Sequence, residues 1–223
     1  MTTQPQHLTV ASRGVPAESV HQGSSLPGVL LFLLGTSFLT VTMLAASVAP
    51  AYDFNRAAIS DLGVIDATAL MFNGLLVAVG ALNIAGGFLL YRSHGHTWIL
   101  ATYLLAGIGA AGAGLVPLDA SGLHSLFALV GFVFFNLEAV ASATIVQGPM
   151  RAISWAAGLI GLVFVVVMVI GDAGNAAVFG AIGHGGSERM IVYPAMLWTI
   201  AFGGYRMAGG AIRPRVPGPR DDA

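Results

Sequence analysis

The side chains in this chain that can do chemistry fall into three groups, and each suggests a different use. The largest is Arg56, Ser60, Asp61, Asp119, His124, Asp172, His184, Glu188, Arg189 and Tyr193, all set in or beside three polar stretches that interrupt long apolar runs. A guanidinium such as Arg56 or Arg189 is suited to hold an anionic group through paired N–H donors, while Asp61, Asp119 and His124 would bind or orient a polar ligand. The same residues also have structural uses. Ser60 or Asp61 caps a short helix. Glu188 sits favourably at a helix N-terminus. Arg189 pairs with Asp61 or Asp119 from another loop, because an unpaired guanidinium in a partly desolvated place is costly.

The second group is Glu138 alone, the most deeply placed acid. His124, Ala128, Gly131, Phe135 and Glu138 recur at helical spacing and share one stripe. A carboxyl group in lipid is costly, so that stripe is expected to face a bundle interior, where Glu138 serves a proton or ion relay or stands as a protonated or Arg-paired glutamate near the inner surface. The third group is His94-Gly-His96 in a short loop. Two imidazoles at that spacing do not share a helix face, and no carboxylate stands nearby in sequence, so no metal site is expected there.

Several chemistries are excluded outright. The chain has no cysteine, so disulfides, thiolate-bound zinc, iron–sulfur clusters and a thiol nucleophile are absent. If a metal were held at all, His124, His184 and Asp119 would be its ligands; no cofactor is expected. The formal net charge of −1 gives no sign of nucleic-acid binding. The run Gly107-Ile-Gly109-Ala-Ala-Gly112 has dinucleotide-motif spacing, but it lies inside an apolar run with no strand before it. Its small residues, with Ala111 and Gly114, instead permit close helix packing. In the run before it, Asn73, Gly80 and Gly87 recur at seven-residue spacing and make a comparable face, with Asn73 bonded to a neighbouring helix.

The elements that carry these groups follow from composition. Of 223 residues, 56% are hydrophobic and only 9% charged, with a mean hydropathy of +0.82. A soluble domain carries about 25% charge. Apolar runs at about 27–49, 67–91, 98–116, 123–146, 153–171 and 189–208 each reach the roughly 20 residues a membrane helix needs. Residues 27–208 therefore read as one all-α membrane domain of six transmembrane helices. Residues 1–26 read as a disordered N-terminal tail and 209–223 as a disordered C-terminal tail. The apolar run starts too late and runs too long for a signal peptide. Asp66 is placed to cap the second helix and Ser187 the sixth, and Pro194 is expected to bend the sixth.

Arginine placement predicts the orientation. Arg13, Arg92, Arg151, Arg206, Arg213, Arg215 and Arg220 fall on one side, and only Arg56 and Arg189 on the other. Positive charge stays cytoplasmic, so both termini are expected inside a cell membrane and the acidic loops outside. The three outward loops differ in length and content, so no inverted repeat of the transporter kind is visible. Exclusive use of arginine, with abundant Ala, Gly and Val, suggests a GC-rich bacterial source.

One set of strings carries a family resemblance. Ile59-Ser60-Asp61-Leu62-Gly63 follows the first span, Phe72-Asn73-Gly74 lies in the second, and Asp119 precedes His124. Gly186-x-Glu188-Arg189-x-x-x-Tyr193-Pro194-x-x-x-Trp198 spans the start of the sixth. Together, over about residues 27–208, they resemble the prokaryotic six-helix membrane family catalogued as domain of unknown function nine-nine-eight. The resemblance implies six helices and an extracytoplasmic polar cluster, and no known reaction. The Ile-Ser-Asp-x-Gly string is also similar to one in Frag1/DRAM/Sfk1 membrane proteins, some linked to lipid remodelling. The scatter of Ser, Asp and His is similar to that of alkaline-ceramidase-like hydrolases, but their three zinc-binding histidines are not matched here.

These readings converge on a multi-pass membrane protein with an outer-face polar pocket for a lipid headgroup or small polar ligand, its partners being membrane lipids. Two other readings stay open: a metal-dependent membrane lipid hydrolase, and a proton-coupled transporter using Glu138.

Overall fold

The computed structural model describes residues 25–120 and 122–215. The chain forms six long helices: α1 Leu26–Val48, α2 Ala69–His94, α3 Thr97–Leu115, α4 Leu123–Ala143, α5 Gly148–Asp172 and α6 Gly183–Met207. Short 3-10 turns at Ser60–Gly63 and Ala176–Ile182 punctuate the α1–α2 and α5–α6 connections. No strand occurs among the described residues. In an apolar solvent every backbone N–H and C=O must be satisfied within its own segment, and long helices do this.

Each helix packs against its neighbour in sequence, α6 closes back onto α1, and α4 touches α6 across the bundle. Small residues set the closest approaches. A side chain at Gly80 would meet the Gly107 carbonyl and Ala111, so the glycines expected to pack do so, between α2 and α3. At the α1–α6 closure, a Cβ on Gly28 would lie 2.7 Å from the Gly203 oxygen. Such contacts supply the van der Waals density that replaces a hydrophobic drive between helices in lipid. Gly95, at φ 71°, ends α2 in a left-handed turn and allows the tight passage to α3.

The outer surface is as apolar as the inside. In α5 only 33% of the most apolar stretch is buried, so most of its valines and isoleucines face outward, which suits lipid and not water. Five helices, α1 to α5, are long and apolar enough to cross a membrane; α6 has the length, but His184, Glu188, Arg189 and Arg206 lower its apolar content. The molecule is an all-helical membrane protein.

The described chain ends meet at one end of the bundle, where Gly28 faces Arg206 and Gly203. Here this is the termini end, and the opposite one, with residues 49–68, 116–120 and 173–182, is the loop end. Past α6, residues 208–215 lie over the termini end: the Arg213 N–H donates to the Ile145 carbonyl at 2.8 Å and the Arg215 N–H to the His94 carbonyl at 2.7 Å. Of the tails predicted over 1–26 and 209–223, residues 1–24 and 216–223 lie outside the described residues.

Two expected caps are corrected. α2 begins at Ala69, with Thr68 at the cap position and Asp66 exposed before it; the Thr68 hydroxyl instead donates to the Leu62 carbonyl at 2.7 Å. α6 begins at Gly183, not near Arg189, and the Ser187 hydroxyl donates within the helix to the Gly183 carbonyl at 2.9 Å. The glycine-rich lead-in, which reads as a loop, is helical because the α1–α2 loop packs on it: the Gly185 N–H donates to the Asn55 carbonyl, and a side chain at Gly185 would meet the Phe54 and Ala57 carbonyls. Pro194 lies inside the continuous α6.

Candidate functional site

The loop end is built on two adjacent charged residues of α6. Arg189 is 8% exposed, and its Nη1 donates to the carbonyls of Phe54 at 2.9 Å, Ala57 at 3.1 Å and Gly185 at 2.7 Å. Its Nη2 donates to the Tyr52 hydroxyl at 2.7 Å, and the guanidinium lies 4.8 Å over the Phe54 ring. The expected ion pair of Arg189 with Asp61 or Asp119 is therefore corrected: the irregular backbone of the α1–α2 loop supplies carbonyl acceptors that take the place of a carboxylate. Among the described residues Arg56 pairs with Asp53 at 3.8 Å, and His184 Nε2 lies 3.2 Å from Asp172 Oδ1.

Glu188, 4% exposed, holds the same loop from the other side. Its Oε2 accepts the Ile59 N–H at 2.5 Å. It thus sits inside α6 and ties a loop, in place of the expected position at the helix start. Asp61 Oδ2 accepts the Ala58 N–H at 2.9 Å from inside the 3-10 turn; the expected cap by Ser60 or Asp61 is corrected, because the cap position is Ile59 and no side chain caps it. Tyr52 donates to the Ala58 carbonyl at 2.7 Å, and burial pushes its hydroxyl up to about 12 against the pull of Arg189 beside it, so the phenol keeps its proton. Asn73 completes the fixing by donating to the Gly63 carbonyl at 2.8 Å, a partner in the loop and not in a neighbouring helix.

These ties hold the loop over a cleft of about 610 Å³ between α4, α5 and α6. Arg56, Ser60, Asp61, His124, Ser125, Asp172, His184 and Glu188 supply its polar end. Phe132, Val165, Met168, Val169 and Leu129 supply its apolar wall, with Leu129 41% and Val169 53% exposed at the rim on the α4–α5 side. A smaller cavity of about 70 Å³ lies further in and shares Ser60, His124, Phe132 and Glu188 with the cleft. The cleft exists because α4 and α5 meet tightly only in their other halves. There, a Cβ on Gly158 would lie 2.6 Å from the Asn136 carbonyl, and one on Gly161 would overlap the Asn136 side chain. Asn136 also donates to the Ile191 carbonyl at 3.0 Å, pinning α4 to α6 at the cavity floor.

His124 is the one imidazole placed deep in this cleft, 3% exposed. Its Nδ1 lies 2.7 Å from the Val116 carbonyl, which can only accept, so Nδ1 carries the proton. Its Nε2 is buried without a partner. A buried polar atom with no partner is costly unless something that enters the site satisfies it.

Of the residues singled out from sequence, the cleft thus gathers Arg56, Ser60, Asp61, His124, Asp172, His184 and Glu188. Asp119 is exposed and lines neither cavity; Arg189 serves the loop; Tyr193 is half-buried, with its hydroxyl 4.0 Å from the Met43 sulfur. His124 and His184 line the cleft together, while Asp119 stands apart, and among the described residues no three His, Asp or Glu side chains converge as a metal site. Sequence reasoning missed Tyr52 and Ser125. An aromatic pair with an acid between, Tyr52-Asp53-Phe54, was the available signal for the first. Ser125 had none beyond following His124.

Glu138 belongs to a separate buried group in the termini half. It is fully buried, and its Oε1 accepts from Asn83 Nδ2 at 2.5 Å. Asn83 also donates to the Tyr103 carbonyl at 2.9 Å, and the Tyr103 hydroxyl lies 3.3 Å from the Ser142 hydroxyl. The predicted inward stripe of α4 is confirmed from His124 to Glu138, and Glu138 lines neither cavity.

No curated protein and no solved structure matched the chain. A family match covers residues 32–205, which takes in α2 to α5, most of α1 and α6, the α1–α2 loop and the Glu188–Arg189 pair. The chain belongs to the family described as protein of unknown function DUF998.

Proposed function

We propose that this protein spans the cell membrane six times with both termini in the cytoplasm, and binds the headgroup of a membrane lipid in its extracytoplasmic cleft. The orientation is supported by charge. Arg92, Arg151, Arg206, Arg213 and Arg215 cluster at the termini end, while Asp53, Asp61, Asp66, Asp119, Asp172 and Glu188 all lie at the loop end. α6 crosses in spite of its charges because Glu188 and Arg189 are turned into the protein and bonded to the α1–α2 loop, not exposed to lipid.

The observation that carries the lipid reading is the cleft's two-part wall. It is polar where it meets the loops and apolar where it runs between α4 and α5, and its rim is made of exposed Leu129 and Val169. A water-soluble ligand would need only the polar part; an amphiphile uses both. Binding without turnover is the function these groups support best.

The test is retention of lipid through purification. Native mass spectrometry of the wild-type protein released from detergent is expected to show bound lipid. Val169→Trp, which places an indole across the rim at an exposed position, is expected to lose most of it. Equal lipid on both proteins would remove the cleft as the binding site.

A further inference from the structure

Resting on the lipid reading above, the chemistry of the polar end of the cleft narrows the headgroup. His124 Nδ1 donates its N–H to the Val116 carbonyl, which leaves Nε2 as the acceptor side of a ring that lines the cleft, and that buried atom has no partner. Around it the other cleft groups are also chiefly acceptors. Asp61 keeps an oxygen beyond the one that takes the Ala58 N–H, Asp172 accepts from His184, and the Ser60 and Ser125 hydroxyls act either way. Arg189, the obvious anion ligand by sequence, is committed to loop carbonyls and does not line the cleft.

The remaining guanidinium is Arg56. Its side chain is 88% exposed, tied only to Asp53 at 3.8 Å, and it stands at the mouth. The cleft is therefore acceptor-rich inside and cationic at its entrance. An anionic head carried inward would meet Asp61, Asp172 and an acceptor nitrogen, an arrangement that repels it. A head with a donor-bearing cation at its tip and a phosphate behind it matches both parts.

We propose that the cleft selects a phospholipid with a primary-ammonium headgroup. The ammonium turns inward to His124 Nε2 and Asp61, the phosphate stays at Arg56, and an acyl chain lies along the Val165, Met168 and Val169 wall. Three N–H donors on such a head can satisfy the unpartnered imidazole nitrogen and the carboxylate together; a quaternary ammonium of the same charge has no N–H to give.

The experiment is a competition for the purified protein among phosphatidylethanolamine, phosphatidylcholine and phosphatidylglycerol with identical chains, read by native mass spectrometry from mixed micelles. The ethanolamine lipid is expected to be retained about tenfold over the choline lipid, the scale of a charge-assisted hydrogen bond, and over the anionic lipid as well. His124→Phe should bring the ethanolamine-to-choline ratio close to unity. Asp61→Asn, which keeps an oxygen for the Ala58 N–H, should reduce that ratio while preserving thermal stability. Equal retention of the ethanolamine and choline lipids by the wild-type protein, or preference for the anionic lipid, overturns the headgroup assignment. The two readings fail separately. If Val169→Trp removes bound lipid but the wild type shows no headgroup preference, only the ammonium assignment is lost. If Val169→Trp changes nothing, the cleft itself is not the lipid site.

Discussion

The two ends of the bundle bury polar groups in different ways. At the termini end, Asn83, Glu138, Tyr103 and Ser142 bond mostly to one another across α2, α3 and α4, and Trp198 of α6 donates to Ser154 of α5 at 2.8 Å. These are helix-to-helix ties in a closed core, with glycine contacts such as Gly87 on Tyr103 drawing the helices together. At the loop end, the buried charges of α6 bond outward to an irregular loop, and the helices part to leave the cleft. Regular backbone satisfies itself, so side chains in the closed half need only find each other. Irregular backbone does not, and Arg189 and Glu188 exist there to satisfy it. The cleft is open because its roof is held by α6 and not by packing from α4 and α5.

The largest break in this comparison is expected at Arg189. Arg189→Ala removes donors to the Phe54, Ala57 and Gly185 carbonyls and to the Tyr52 hydroxyl at once. Leaving such groups unpaired should cost roughly 1–3 kcal/mol for each that stays buried, read as a fall in thermal midpoint in detergent. Its coupling with Asp61→Ala in a double-mutant cycle should be small, because Arg189 has no carboxylate partner. A strong coupling would restore the ion pair that the geometry replaces.

At the other end the effect should be smaller and chemically selective. Glu138→Gln keeps an oxygen for Asn83 and should change stability little. Glu138→Leu leaves one Asn83 N–H without its acceptor, the other still bonding the Tyr103 carbonyl, and should cost about 1–3 kcal/mol. The same thermal measurement decides it, and a Leu variant as stable as wild type would show that the closed half tolerates the loss of its polar ties.

Tyr52→Phe sharpens the account of the roof. The ring stays against Phe54, at a centroid distance of 5.4 Å, and only the hydroxyl bonds are lost, so a cost of about 1 kcal/mol is expected. Chemical unfolding of the variant in detergent checks this. No loss at all would mean the Arg189–Tyr52 contact contributes nothing to holding the loop.

No stability change is expected from cysteine probes, which instead test which end faces outward. The chain has no cysteine of its own, so each introduced thiol reports alone. Ala181→Cys at the loop end should react with an impermeant maleimide on intact cells. Ser93→Cys and Ala211→Cys at the termini end should react only after lysis. The opposite pattern would place the cleft on the cytoplasmic side.

Much of the helical frame was legible because lipid leaves a strong mark on sequence: five of the six expected runs form helices long and apolar enough to cross a membrane, and the sixth forms a long helix that carries charges. The ends of α5 and α6 were harder. Gly148–Ala152 and Gly183–Glu188 are glycine-bearing or polar, and what makes them helical is contact, as where the α1–α2 loop sits on Gly185. The convergence of Ser60, Asp61, His124 and Glu188 was readable from their shared side of the membrane. The role of Arg189 was not, because its partners are main-chain carbonyls, which every residue has and no sequence marks. The walls were hidden for a related reason: Val165, Met168 and Val169 look the same in sequence whether they face lipid directly or line a cleft within it.

The most direct test of the central claim is where a lipid actually sits. The protein would be reconstituted with a phospholipid carrying a photoreactive group on one acyl chain, irradiated and digested, and the labelled residues mapped by mass spectrometry. Labelling is expected to concentrate on the cleft-facing residues of α4 and α5, around Leu129, Phe132, Val165 and Val169, and to fall sharply there in Val169→Trp while lipid-facing sites such as Leu33 and Phe88 keep their level. Labelling spread evenly over the exposed apolar surface, unchanged by that substitution, would contradict the account.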